Sequence, residues 1–442
     1  MHFINQYPIM KTLSRILVAA SLLVSIGAGA QSFQTGYFLD NFVYNYRLNP
    51  ALHDEELRSL VAFGIGDISA TAGTNTGLST ILFPYNGKLV FGTSRSIPSS
   101  QFPEGLPSLT NLSSNIDCSI ITFGYRTDKG FISFDARLRS INRIEASKDL
   151  FRSLKADIAT ASGSVFDIDK VSACTSDFLE IGAAYSFRTG DFRLGLGAKA
   201  LLGIGYADVT ADNLRMEVLA DGRVYVNSTS SVMVSFPAFA FNPNDLNDIS
   251  LSGRPGLGGI GFSLEAGFLW NTPIDGFSFS AGVTNLGGIN WKKSLVGKTE
   301  KNQFFLNGTD LGKIYADILK LDSGSGSEFV KLCPTYDVGF KYKLPFIECV
   351  TAGLHGSFTT GRLPWSDIRF GLTLTPANAV SLAATVGKNN FGGAVGIAVN
   401  FRFGPINIYG GVDGLVTKFT DDGIPQNALN TAARLGITIA VK

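Results

Sequence analysis

From about residue 60 onward, apolar and polar side chains exchange places at every second position, in runs of roughly ten residues. Segment 260–271 sets Ile260, Phe262, Leu264, Ala266, Phe268 and Trp270 on one face and Gly261, Ser263, Glu265, Gly267, Leu269 and Asn271 on the other. Segment 192–206 does the same, with Phe192, Leu194, Leu196, Ala198, Ala200, Leu202, Ile204 and Tyr206 opposite Arg193, Gly195, Gly197, Lys199, Leu201, Gly203 and Gly205. A period of two belongs to a strand, since a helix repeats every ~3.6 residues. Comparable runs occupy 119–126, 130–139, 178–188, 277–285, 336–342, 347–358, 368–374, 379–386, 391–403, 406–413 and 433–441; weaker ones lie at 60–70, 87–93 and 214–240. A lipid-crossing strand needs about 9–11 residues, and bacterial barrels close on an even count. The pattern therefore predicts an all-β membrane protein: an antiparallel transmembrane β-barrel of about fourteen strands, with sixteen as the alternative. Thirteen strands come from the runs above, and the closing one comes from before residue 95 or from 214–240. Hairpin chemistry separates the runs, as in Thr127–Gly130, Arg188–Asp191, Thr375–Asn378 and Lys388–Asn390. Tyr185, Phe187, Tyr206, Trp270, Tyr336, Tyr342 and Trp365 near strand ends read as an interfacial aromatic girdle.

Three stretches break the rhythm. Residues 31–59 are aromatic and polar without period two, which suits a segment folded into the lumen as a hatch ahead of a barrel over 60–442. Residues 145–158 place Leu150, Phe151, Leu154 and Ile158 on one helical face, with Ser147 as N-cap. A second helical insertion is expected over Leu311–Leu321.

Composition changes the picture by removing alternatives. Only 17% of residues are charged, against about 25% in soluble domains, while glycine reaches 50 residues. A net charge of +1 gives no argument for nucleic acid as a partner. At the N-terminus, Lys11 and Arg15 precede an apolar run, Ile16–Ile26, and an Ala28-x-Ala30 cleavage pattern. This predicts a secretory signal over 1–30, with Met10 the natural start. Cys118, Cys174, Cys333 and Cys349 fit no metal spacing, and a Cys174–Cys333 disulfide stays open. No cofactor is implied.

Tyr37–Asn41, Leu48-Asn49-Pro50-Ala51 and Thr284–Trp291 resemble an uncharacterised outer-membrane family of Bacteroidota known as a domain of unknown function. The Asn49-Pro50-Ala51 step also resembles the hatch of FadL-type long-chain fatty-acid transporters. The resemblance implies a FadL-like barrel in the cell outer membrane, in contact with outer-membrane lipid and inserted by the barrel assembly machinery. The motifs also have a reading of their own. Pro50 holds Asn49 extended and turns the lead segment toward the barrel. Leu286, Gly287 and Gly288 permit a bulge or bend, and Trp291 suits an interfacial or capping position. The chain's last strand ends Ile437–Lys442 rather than on an aromatic residue.

No nucleophile elbow, phosphate loop or metal cluster is present, so no enzyme is predicted. By strand parity Arg126, Arg137, Arg139, Arg188, Arg193, Lys199, Lys341, Arg369, Arg402 and Arg434 face inward, against Asp135, Glu180, Glu265, Asp337 and Asp413. His355 also faces in. A basic lumen suits a carboxylate, which arginine holds by paired hydrogen bonds. Candidate ligand or lumen residues are Arg137, Arg139, Arg193, Lys199, Glu265, His355, Arg369 and Arg402, with Asn49, Pro50 and Ala51 in the hatch and Asn285, Gly287 and Trp291 at a strand end. The expected function is passage or binding of small hydrophobic or amphipathic molecules, such as a fatty acid. A scaffold or cargo-receiving barrel of a secretion system, or a structural outer-membrane protein, is the alternative.

Overall fold

The computed structural model describes residues 33–441 apart from 41, 55, 65, 95, 156–162, 222, 253–255, 307–318, 362–363, 378 and 415–417, with the backbone alone for 301–306. The expected signal over 1–30 lies outside the described residues.

Fourteen antiparallel strands close into one barrel. In chain order they are β1 (Ser59–Phe63 and Asp67–Gly77), β2 (Leu109–Arg126), β3 (Gly130–Ser147), β4 (Val165–Thr189) and β5 (Phe192–Val218). Next come β6 (Val224–Ser235 and Gly259–Asn271), β7 (Phe277–Lys292 and Leu295–Leu306) and β8 (Leu321–Ser323, Ser327–Lys331 and Thr335–Lys343). Then follow β9 (Val350–Thr359), β10 (Trp365–Ala377), β11 (Val380–Asn389), β12 (Gly392–Phe403), β13 (Ile406–Asp413) and β14 (Ala428–Val441). Closure is made by β1, which pairs with β14 on one side (Ser59↔Val441, Asp67↔Gly436) and β2 on the other (Ser59↔Tyr125). Each strand thus finds two neighbours, which is what backbone amides in hydrocarbon require. The closing strand comes from before residue 95. The run at 214–240 contributes the upper half of β6, and 87–93 overlaps a small hairpin, Leu82–Tyr85 with Lys88–Phe91.

One rim carries short turns and the other long connections. β4 and β5, at 25 and 27 residues, rise well past a bilayer on the long-loop side. β6 leaves the wall between Ser235 and Gly259 for a hairpin, Phe239–Asn242 with Asp245–Leu251, then resumes beside the same strand (Tyr206↔Ser235, Gly203↔Gly259). Outward positions such as Leu196, Ile260, Phe262, Leu372 and Leu435 are exposed aliphatic or aromatic side chains, the surface expected of a lipid belt. Phe192 and Trp270 stack at 5.8 Å near the short-turn rim.

Four expectations need correction. Tyr206 and Trp365 are not in the girdle; both are buried on the inner face. A bulge on β5 between Gly203 and Gly205 puts an extra residue, Ile204, outside and flips Tyr206 inward, where its ring stacks 5.2 Å from Trp291. The first inserted helix, α1, begins at Lys148 and is described to Lys155, because Glu145–Ser147 are still paired as the end of β3 (Asn111↔Glu145, Leu109↔Ser147), and 156–158 lies outside the described residues. Of the second helix, 311–318 lies outside the described residues and Leu321 opens the β8 segment Leu321–Ser323. The inner face is also less basic than parity suggested. It carries Asp67, inside the weak run 60–70, and Asp117 and Asp367, just before the runs 119–126 and 368–374, and each is salt-bridged to an arginine.

Candidate functional site

The wall's inner face is mostly glycine, hydroxyl and charge, so it holds little apolar core of its own. That core is supplied by the described residues of the segment 33–58, which run through the lumen. Phe33, Tyr37, Phe38, Leu39, Phe42, Val43, Tyr44 and Tyr46 are all buried and pack with Leu60, Phe131 and Tyr409 of the wall. The segment is pinned along its length. Gln34 N–H donates to Asp413 at 2.7 Å, and Thr373 donates to the Phe38 carbonyl at 2.5 Å. The Phe38 ring lies where a side chain on Gly371 of β10 would be, so the close approach depends on glycine there.

The Asn-Pro-Ala step is the tightest of these joints. The Asn49 amide donates to the carbonyls of Phe268 (3.2 Å) and Ala281 (2.9 Å) on β6 and β7, while its oxygen accepts from Ala51 N–H (2.9 Å). It reaches them because Gly267 and Gly282 have no Cβ in its path. Pro50 and Ala51 lie against Gly195 of β5. Arg193 then donates to the carbonyls of Ala51 (3.3 Å) and His53 (2.9 Å). His53 is stacked on Phe131 at 5.0 Å and bonded to Ser186. Burial, with Arg193 and Arg126 nearby, presses its pKa down to about 3.

Among the described residues, charged side chains form several inner networks. Arg47 of the hatch bridges Asp67 (2.5 Å) and Asp135 (2.6 Å), and Arg434 completes the Asp67 site at 2.8 Å. Arg137 and Arg139 share Glu180 and Asp117, while Lys199 links Glu180 (3.2 Å) to Glu265 (2.6 Å). Arg369, fully buried, is held by Asp367 and Asp413, both at 2.8 Å. His355 Nε2 sits 3.4 Å from Asp337, with Tyr37 stacked on its ring at 4.3 Å. Of the candidate ligand residues, Arg137, Arg139, Lys199, Glu265 and Arg369 are therefore engaged with charges of the wall, and Arg193 with the hatch. Arg402 differs: its nearest acid is Asp54 of the hatch, 3.6 Å away. The sequence offered no sign of Arg47, which period-two parity cannot place because it lies outside any strand.

Asn285, Gly287 and Trp291 come together at a gap in the wall. Pairing of β7 with β8 stops at Thr284↔Thr335 and resumes at Gly288↔Lys331. Between them Leu332 N–H donates to the Gly287 carbonyl at 2.9 Å, and Pro334 has no N–H to give. Asn285 bulges with a positive φ of 61° and accepts from Arg139 at 3.0 Å, so Thr284 and Asn285 both turn inward. A cavity of about 990 Å³ lies at this gap. Its lining draws on both faces of the wall: Tyr206, Met233 and Val330 from inside, Phe262, Leu286 and Phe329 from outside. Trp291, buried beside Tyr206, caps the lumen rather than facing lipid. All four cysteines are free thiols. Among the described residues no three His, Cys, Asp or Glu side chains gather to hold a metal ion.

A comparison with curated proteins yields no match. Among solved structures the chain is similar to the Pseudomonas putida toluene transporter TodX, at 8% identity over 90% of this chain and 93% of that one, with a TM-score of 0.40. A Pseudomonas aeruginosa FadL homologue is similar at 11% identity over 94% and 96% of the two chains, TM-score 0.40. The Ralstonia pickettii toluene transporter TbuX is similar at 9% identity over 86% and 90%, TM-score 0.38. A family model, described as a family of unknown function (DUF5723), matches residues 50–413, from the Asn-Pro-Ala joint to the end of β13. That span covers most of the barrel, Pro50 and Ala51 of the hatch and the Thr284–Trp291 motif, and the protein belongs to the DUF5723 family.

Proposed function

We propose that this chain is a channel of the Gram-negative outer membrane, in Bacteroidota, that passes small hydrophobic or amphipathic molecules between the long-loop vestibule and the bilayer, with no reaction of its own. In this reading residues 1–30 direct export, the barrel assembly machinery inserts the wall, and residues 31–59 are a hatch that shuts the axial route. The observation that carries the reading is the cavity at the β7–β8 gap, lined from the lumen side by Tyr206 and Met233 and from the lipid side by Phe262 and Leu286. A molecule moving there meets apolar side chains from both faces beside charged ones such as Asp208, Lys293 and Lys331, whereas the axis is filled by the aromatics of the hatch. Arg369, first read as a ligand group, serves here as a structural ion.

The test is transfer of a fluorescent acyl probe, and of a neutral aromatic one, into lipid vesicles containing the purified protein. Leu286→Trp with Leu332→Trp fills the gap from both faces. The reading expects at least a tenfold slower transfer in that variant, with the barrel still heat-resistant on gels. Equal rates in variant and parent would remove the side route.

A scaffold role has one observation of its own. The hairpin Leu82–Phe91 at the long-loop rim leaves Tyr85, Leu89 and Phe91 exposed, and water-facing apolar groups of this kind suit a protein partner.

A further inference from the structure

Near the short-turn rim, three inward side chains lie side by side on adjacent strands: Arg402 of β12 opposite Asn407 of β13, and Asn407 opposite Thr438 of β14. Directly opposed residues place their Cβ atoms about 5 Å apart, so the three polar ends share one small space. Asn407 is fully buried, Thr438 is 2% exposed, and the Arg402 side chain keeps 11% exposure toward the rim. Among the described residues none of them finds a hydrogen-bond partner: Arg402 Nε, Nη1 and Nη2, Asn407 Nδ2 and Oδ1, and Thr438 Oγ1 are all unmatched. A buried polar group left unmatched costs about 1–3 kcal/mol, and more when charged, so proteins rarely cluster them without something to bind. The contrast with Arg369 is direct, because that guanidinium is saturated by two carboxylates.

We propose that Arg402, Asn407 and Thr438 form an oxyanion site, taking the carboxylate or phosphate group of a small ligand that enters from the short-turn rim. The guanidinium supplies two parallel donors to such a group, Asn407 and Thr438 supply further donors, and Asn407 Oδ1 accepts from a protonated oxygen. The acid facing the site is Asp54 of the hatch, too far at 3.6 Å to hydrogen-bond with Arg402. A bound anion therefore competes with Asp54 for the arginine. Occupancy loosens the hatch where Arg126 otherwise holds the Asp54 and Leu57 carbonyls. The site stands apart from the β7–β8 gap and does not require the channel reading.

The test is calorimetric titration of the purified full-length protein with inorganic phosphate and, separately, with octanoate, at constant ionic strength. Saturable binding of either supports the site; phosphate alone identifies a free anion, and octanoate alone identifies the headgroup of an amphipathic ligand. Arg402→Gln and Thr438→Val should each weaken binding at least tenfold. Asp54→Asn should tighten it severalfold by removing the competitor, a gain that a merely structural arginine would not give. Failure of both anions to bind the parent protein, or binding unchanged in Thr438→Val and Asp54→Asn, overturns the proposal.

Discussion

At the scale of single residues, the hatch is held by groups whose value depends on being dry. Asn49 satisfies two wall carbonyls and its own turn at once, which explains why an asparagine precedes the proline there. His53 is a more exposed weakness of the joint. Its ring faces Arg193 and Arg126, stacks on Phe131 and bonds Ser186, and its pKa is pressed to about 3 from the usual 6.5. A released hatch binds a proton at His53 once the pH falls below about 6.5, while the docked one does not, so docking weakens on acidification. By linkage the loss at pH 5 is about 2 kcal/mol. Asp54, pushed up by burial, works in the opposite sense, so the comparison belongs in an Asp54→Asn background. Limited proteolysis of the hatch should be faster at pH 5 than at pH 7.5, and His53→Gln should remove most of that difference; equal protection at both pH values would refute the account of this joint.

Elements show where reading by alternation succeeds and where it stops. Strands such as 260–271 and 368–374 were legible because lipid demands apolar side chains on one face and the lumen tolerates glycine, hydroxyl and charge on the other. Parity placed Arg137, Lys199, Arg369 and Arg402 on the inner face for the same reason. It failed at Tyr206, because one inserted residue inverts every side chain beyond it, and Gly203 and Gly205 around Ile204 do not stand out among the many glycines of β5. It also missed how far β2 and β10 extend, and with them Asp117 and Asp367, so the lumen looked more basic than it is. Pairing partners lie far apart in sequence; the bond from Gln34 to Asp413 has no local trace. The Asn285 bulge had a visible signal in the glycines that follow it, but not its partner, Arg139. Its positive φ is tolerable for asparagine and costly for a β-branched residue, about 1–2 kcal/mol. Asn285→Val should therefore lower the urea midpoint of barrel unfolding further than Asn285→Gly, which keeps the backbone and loses only the bond to Arg139. Equal midpoints would mean that the bulge is not strained in this way.

For the whole molecule, the barrel and the hatch divide the work that one core does in a soluble domain. The wall satisfies its backbone by closure and presents aliphatic surface to lipid, while the hatch's aromatics fill the axis. Its inner charges are largely spent on one another, whereas Arg402 is a basic group placed to meet something else. A barrel shut along its axis and open at its side should separate two kinds of flux. The most direct test is to record ionic current and uptake of a hydrophobic probe in the same bilayer preparation. The account predicts saturable probe uptake with almost no ionic conductance, and loss of uptake when Leu286 and Leu332 are both replaced by tryptophan. Stable ionic steps of porin size, or probe uptake no faster than in protein-free bilayers, would contradict it.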